Sequence, residues 1–167
     1  RRFAEHIQTL SELQRTTAAE VPLEETPLQP FCESLMDEIR PRVRPGVNLV
    51  VEVPKMSANI HRPYVSHILL HLLSNAAEYT PEGGKITLDY KKRGAHALQF
   101  IVSDTGPGIH EEMHEAVFKP FLEIHDLTTG DGLGLPICRL MALNMNGDLN
   151  IDAAYTRGTR FVLDLKG

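Results

Sequence analysis

The sequence has no tryptophan and only two cysteines in 167 residues. Neither Cys32 nor Cys138 stands in a CxxC or metal-ligand spacing, which excludes a disulfide scaffold and a thiolate metal centre. Each sits in a helical stretch and reads as a reduced, buried thiol. Long apolar runs are missing too. The longest, such as Ile68-Leu69-Leu70, fall far short of the roughly 20 residues that cross a bilayer. No apolar stretch follows Arg1-Arg2, so no secretory leader is read and a cytoplasmic domain is expected. Basic clusters are absent: Lys and Arg number 17 against 22 Asp and Glu, a net charge of -5. Scattered cations on an acidic chain argue against nucleic acid as a partner. What remains, 42% hydrophobic and 23% charged without repeats or low-complexity tracts, is the composition of one compact domain.

Residues 1–19 lack Gly and Pro, and Phe3, Ile7, Leu10 and Leu13, with Gln14 as a polar intrusion, keep helical spacing. Pro22 and Pro27 then interrupt the chain and set that helix apart. Phe31, Leu35, Met36 and Ile39 predict a second helix, stopped by Pro41. The β-branched run 47–53, bounded by Gly46 and Pro54, predicts a strand. A long helix is predicted over 62–79, with Pro63 in its first turn and Pro81-Glu82-Gly83-Gly84 closing it. Strands follow over 85–92 and 97–104, then a helix over 132–145 and two closing strands over 147–152 and 158–165. Helices and strands are interleaved without strict alternation. The expected fold class is therefore an α/β (α+β) two-layer sandwich of a mixed five-stranded sheet and three helices, with a preceding N-terminal helix.

Three stretches suggest chemistry. In the long helix His67, His71, Asn75 and Glu78 are four, four and three residues apart and form one polar stripe. A solvated surface explains such a stripe equally well. Zinc at His67 and His71 is weaker, because a clear third ligand and the Glu of HExxH are missing. Asp104-Thr105-Gly106-Pro107-Gly108-Ile109 sets a carboxylate at a strand end before two glycines, which suits an amino group on a planar base, although an ordinary turn would also account for it. Gly130-Asp131-Gly132-Leu133-Gly134 puts alternating glycines at a helix start, where free N–H groups hold phosphates. It fails as a dinucleotide fingerprint, since a loop rather than a strand precedes it.

Taken in order, these stretches resemble the nucleotide pocket of sensor histidine kinases, members of the Bergerat-fold ATPases shared with gyrase, MutL and the heat-shock chaperones. His71-Leu72-Leu73-Ser74-Asn75-Ala76-Ala77-Glu78-Tyr79-Thr80-Pro81-Glu82-Gly83-Gly84 is similar to the N box, and residues 104–109 to the G1 box. Val117-Phe118-Lys119-Pro120-Phe121 is similar to the F box, residues 130–135 to the G2 box, and Gly158-Thr159-Arg160-Phe161 to the closing strand motif. The resemblance implies a mainly antiparallel sheet and ATP with Mg²⁺ as cofactors. It gives Asn75 to the metal, Tyr79 a place against the nucleotide, and Asp104 the adenine amino group, supported by Thr159 through water. Gly106, Gly108 and Ile109 would make room for the base, while Lys119, Gly130, Gly132, Leu133 and Gly134 would cover the phosphates from a lid over about 109–132. His71, where many of these kinases carry Asn, would orient water or relay a proton.

Residues 1–20 are similar to the end of a dimerisation hairpin and its linker, and 21–167 to the catalytic domain. No phosphoacceptor motif is present: His6 in Glu5-His6-Ile7-Gln8 lacks the Arg and Pro that follow it in these kinases. The implied function is transfer of the ATP γ-phosphoryl to a histidine on the upstream dimerisation domain of a homodimeric parent. A response-regulator receiver domain would be the next partner. A degenerate nucleotide-binding module and an anti-sigma-type serine kinase are the alternatives. Glu78, where many relatives carry Lys or Arg, and Asp131 bring negative charge near a triphosphate, at about 1 kcal/mol per close exposed pair. Lys119 and His125 are the cations the lid offers. Glu78→Lys is therefore expected to tighten ATP binding; equal or weaker affinity by isothermal titration would contradict it.

Overall fold

The computed structural model describes residues 22–95, 97–118 and 134–166. The chain runs β1 (Glu24–Pro27), α1 (Leu28–Ile39), β2 (Asn48–Glu52), β3 (Ser57–Ile60), α2 (Arg62–Tyr79), β4 (Lys85–Lys92), β5 (Ala97–Asp104), α3 (Gly134–Asn144), β6 (Asp148–Ile151) and β7 (Arg160–Lys166). Five strands form one sheet in the order β2-β4-β5-β7-β6. β2 lies parallel to β4 and every other neighbour is antiparallel. The sheet is mixed and mainly antiparallel, as expected.

Alternation along the strands explains the two layers. Ile86, Leu88 and Tyr90 of β4, Phe100 and Val102 of β5, and Phe161, Leu163 and Leu165 of β7 all point to one buried face. Onto it the helices lay Leu28, Cys32, Leu35 and Met36 from α1, Ile68, Leu69, Leu72 and Leu73 from α2, and Ile137, Cys138 and Met141 from α3. Both thiols are fully buried. Burial pushes the Cys32 thiol up to about 12 and raises that of Cys138 as well, so neither is a nucleophile.

The long helix obeys its local signals. His61 caps it, its Nδ1 accepting from the Tyr64 N–H at 3.2 Å, and Pro63 fills the first turn where no N–H is needed. At the other end the Thr80 N–H reaches the Ala76 carbonyl at 2.9 Å and Pro81 stops propagation.

A second, two-stranded sheet was not expected. The stretch read as a proline interruption contains β1, paired antiparallel with β3 from Glu24 against Ile60 to Pro27 against Ser57. Four-residue strands carry little period-2 signal, and Pro27 is tolerated because an edge strand needs no donor on its open side. The predicted helix over 1–19 lies outside the described residues.

Candidate functional site

Asp104 ends β5 at the centre of the sheet, and the chain then folds back over it. Its Oδ1 accepts from the Gly106 N–H at 2.8 Å and the Thr159 N–H at 3.2 Å. Two amides thus hold one carboxylate oxygen and leave Oδ2 for a donor from outside. The side chain is 8% exposed, and burial raises its pKa above the ordinary carboxylate value while the two amides pull it back. Its backbone is fixed too: the N–H donates to the Thr159 carbonyl at 2.9 Å, and the Tyr155 hydroxyl donates to its carbonyl oxygen at 2.9 Å.

This fold-back demands glycine. A Cβ on Gly158 would collide with the Asp104 carbonyl and stand 2.9 Å from the Gly106 nitrogen, both immovable backbone. Gly108 takes φ +81°, with its missing Cβ 3.0 Å from the Gly158 carbonyl oxygen. Asn75, Tyr79, Asp104, Pro107, Gly108, Thr159 and Phe161 enclose a slot of about 20 Å³ here.

The polar stripe of α2 turns out to be graded. Glu78 is exposed at one end, whereas Asn75 is 4% exposed, and neither Nδ2 nor Oδ1 of its amide has a hydrogen-bond partner. A buried amide with both ends unmet is costly, so it marks a place meant for something else. Asn75 lines the slot and also a larger cavity of about 680 Å³ that runs past His71, Ser74 and Glu78 to Gly134. Slot and cavity therefore meet at one side chain. Gly134 opens α3 with its bare Cα against His71, since a Cβ would stand 2.5 Å from Nε2. Among the described residues no group of three or more His, Cys, Asp or Glu side chains could hold a metal ion. A hard cation that keeps most of its ligands as water or phosphate oxygen would find the Asn75 amide oxygen instead.

The structure thus brings together Asn75, Tyr79, Asp104, Gly108 and Thr159 at the slot, with Gly106 bonded to Asp104 beside it, and His71, Asn75 and Gly134 at the cavity. Ile109 is set apart: it packs partly buried against the core, its carbonyl 3.0 Å from His114 Nε2. Lys119, His125, Gly130, Asp131, Gly132 and Leu133 lie outside the described residues.

The model of the histidine kinase-, DNA gyrase B-, and HSP90-like ATPases matches residues 61–167, the segment that builds the slot and most of the cavity wall. The chain belongs to this ATPase family. Among curated relatives, an adaptive-response sensory kinase SasA of Synechococcus sp. (strain JA-2-3B'a(2-13)) is 30% identical over 170 residues, covering 96% of this chain and 45% of that protein. The chain spans less than half the length of that relative. Among solved structures, the mycobacterial sensor histidine kinase MprB superposes with a TM-score of 0.74 at 26% identity, covering 87% of this chain and 97% of that one. Full-length ShkA in complex with AMPPNP gives 0.83 at 23% identity over 98% of this chain and 35% of that one, a likeness of fold.

Two features of this ATPase domain were missed in the sequence. Tyr155 holds the Asp104 carbonyl from 51 residues away. Arg42 and Arg44, between α1 and β2, reach the cavity: Arg42 Nη1 donates to Ser74 Oγ at 3.2 Å, and Arg44 Nη1 to the carbonyls of Glu78 and Thr80, the latter at 3.1 Å. The available signal was only the clustering of Arg40, Arg42 and Arg44, because residues 40–42 form a 3-10 turn and the fold alone brings Arg42 and Arg44 to the end of α2.

Proposed function

We propose that this domain is the catalytic and ATP-binding part of a sensor histidine kinase, transferring the γ-phosphoryl of ATP to a histidine on an upstream dimerisation helix of the same protein. The observation that carries this reading is the Asn75 amide, buried and unpartnered where the Asp104 slot joins the larger cavity. On this reading the base enters the slot and its amino group donates to Asp104, with Thr159 beside it, while Gly106 and Gly108 keep the backbone close to the ring. A cavity of about 20 Å³ holds little more than one water, so the rim must part for a purine to enter.

The phosphates then lie past Asn75 toward His71 and Gly134. Asn75 would hold Mg²⁺, which when bound neutralises phosphate charge and orients the phosphate chain. Tyr79 lines the slot beside the nucleotide. His71, against the first turn of α3, orients the phosphate end and can hold a proton there. Lys119, Gly130, Gly132 and Leu133 complete the cover, and Ile109 supports its stem. Residues 1–20 would continue into the dimerisation hairpin, the parent would be a homodimer, and a response-regulator receiver domain would take the phosphoryl group. No described helix is long and apolar enough to cross a membrane.

Incubating the longer parent protein with γ-labelled ATP tests the reading. An acid-labile, base-stable label on histidine is expected. An acid-stable label would mean a serine kinase, and retained ATP binding without label would mean a nucleotide-binding module.

A further inference from the structure

The cavity beyond Asn75 has a charge problem. Glu78 stands at its mouth, and the carbonyls of Glu78 and Thr80 at the end of α2 add the negative end of a helix dipole. A polyphosphate entering along this path meets repulsion unless cations face it. Among the described residues lining the cavity, Arg42 and Arg44 alone carry permanent positive charge. Both are exposed at its rim, and both come from a segment outside the part of the chain that the ATPase family model matches.

The geometry points to Arg42 and Arg44 as the residues that receive the terminal phosphates of the nucleotide, offsetting Glu78; this rests on the ATP-binding reading above. Each guanidinium is anchored by one nitrogen and keeps others for a second partner. Arg44 spends Nη1 on the two helix-end carbonyls, and Arg42 spends Nη1 on the Ser74 hydroxyl. A planar fork with five N–H donors retains enough for a phosphate oxygen pair. The anchors also fix where the charge sits. Ser74 precedes Asn75 on α2, so the arginines approach the same turn that carries the unpartnered amide. These arginines are positioning residues for the polyphosphate, and they distinguish ATP and ADP from AMP. The adenine slot is lined by neither of them.

Isothermal titration of the chain with ATP and with AMP, Mg²⁺ present, tests this. Arg42→Ala is expected to weaken ATP about tenfold, the loss of one charge-assisted contact, and to change AMP less than about twofold. Arg44→Gln keeps amide donors for the helix-end carbonyls while removing the charge, and the same split between ATP and AMP is expected. Adding Glu78→Lys to Arg42→Ala should return most of the lost ATP affinity. Thermal melts verify that each variant is folded. If both folded variants leave ATP unchanged, or weaken ATP and AMP equally, the assignment is wrong while the ATP-binding reading stands. If the wild-type chain binds neither nucleotide, both fail together.

Discussion

Asp104 opposes stability at the position where the proposed reading has it serve binding. Its raised pKa means that the fold disfavours the ionised form. Stability contributed at this site therefore falls as pH rises from the ordinary value of 3.8 through the raised one, and stays lower above it. On the proposed reading binding runs the other way, because the ionised carboxylate would be the acceptor. Asp104→Asn should keep Oδ1 on its two amides and turn Nδ2 toward the cavity, donor against the donor of an adenine. The expected outcome is a thermal midpoint equal to or above wild type with ATP affinity reduced at least about tenfold. Gly158→Ala should behave differently. Its Cβ meets backbone on both sides, so unfolding by urea should register a loss of about 1–3 kcal/mol together with lost binding. The residues of this site within 104–109 were legible in sequence because carboxylate and glycines are neighbours. Arg42 and Arg44 were not, since only the folded chain brings them to Ser74 and Thr80, 32 and 36 residues on.

Among the elements, α2 was the easiest to foresee, with its proline start, proline stop and apolar face. The polar stripe on it could not be interpreted alone. Surface and site share one spacing, and burial of Asn75 against exposure of Glu78 is set by what packs on the helix. β1 and β3 were illegible because pairing between short strands is decided by distant partners. α3 carries a clasp whose members are equally scattered. Arg139 donates to both oxygens of Glu115 at 2.8 and 3.2 Å, to Asp148 at 3.1 Å and to Asn150 at 3.2 Å, with its guanidinium 4.7 Å from the Phe118 ring centroid. It ties the segment before residue 119 to α3 and β6. Burial pushes the Asp148 carboxyl up, but the Leu149 N–H, Arg139 and Asn150 outweigh it and hold the pKa below 3.8. That contribution is complete above 3.8 and is lost as pH falls through the depressed value. Because Glu115 is 72% exposed, Arg139→Gln should cost only about 1 kcal/mol in urea. Hydrogen exchange should quicken at Val117 and Phe118. Unchanged exchange there would remove the clasp from any role in holding that segment.

For the whole molecule, a five-stranded sheet covered by three helices leaves one end where β5, β7 and α2 converge, and the slot lies there. The sandwich was legible because each layer announces itself by period, two for strands and 3.6 for helices. The division of the site into a tight slot and a broad charged cavity was not, because it depends on how a loop before β2 lies against the end of a helix after it. On the proposed reading a domain built this way binds nucleotide by itself. Titration of MgATP into this 167-residue chain, wild type beside Asp104→Asn, tests that most directly. Saturable one-to-one binding by wild type, reduced at least about tenfold in a folded Asp104→Asn, is the expected result. Equal affinity in the two proteins, or no binding by a folded wild type, would contradict it.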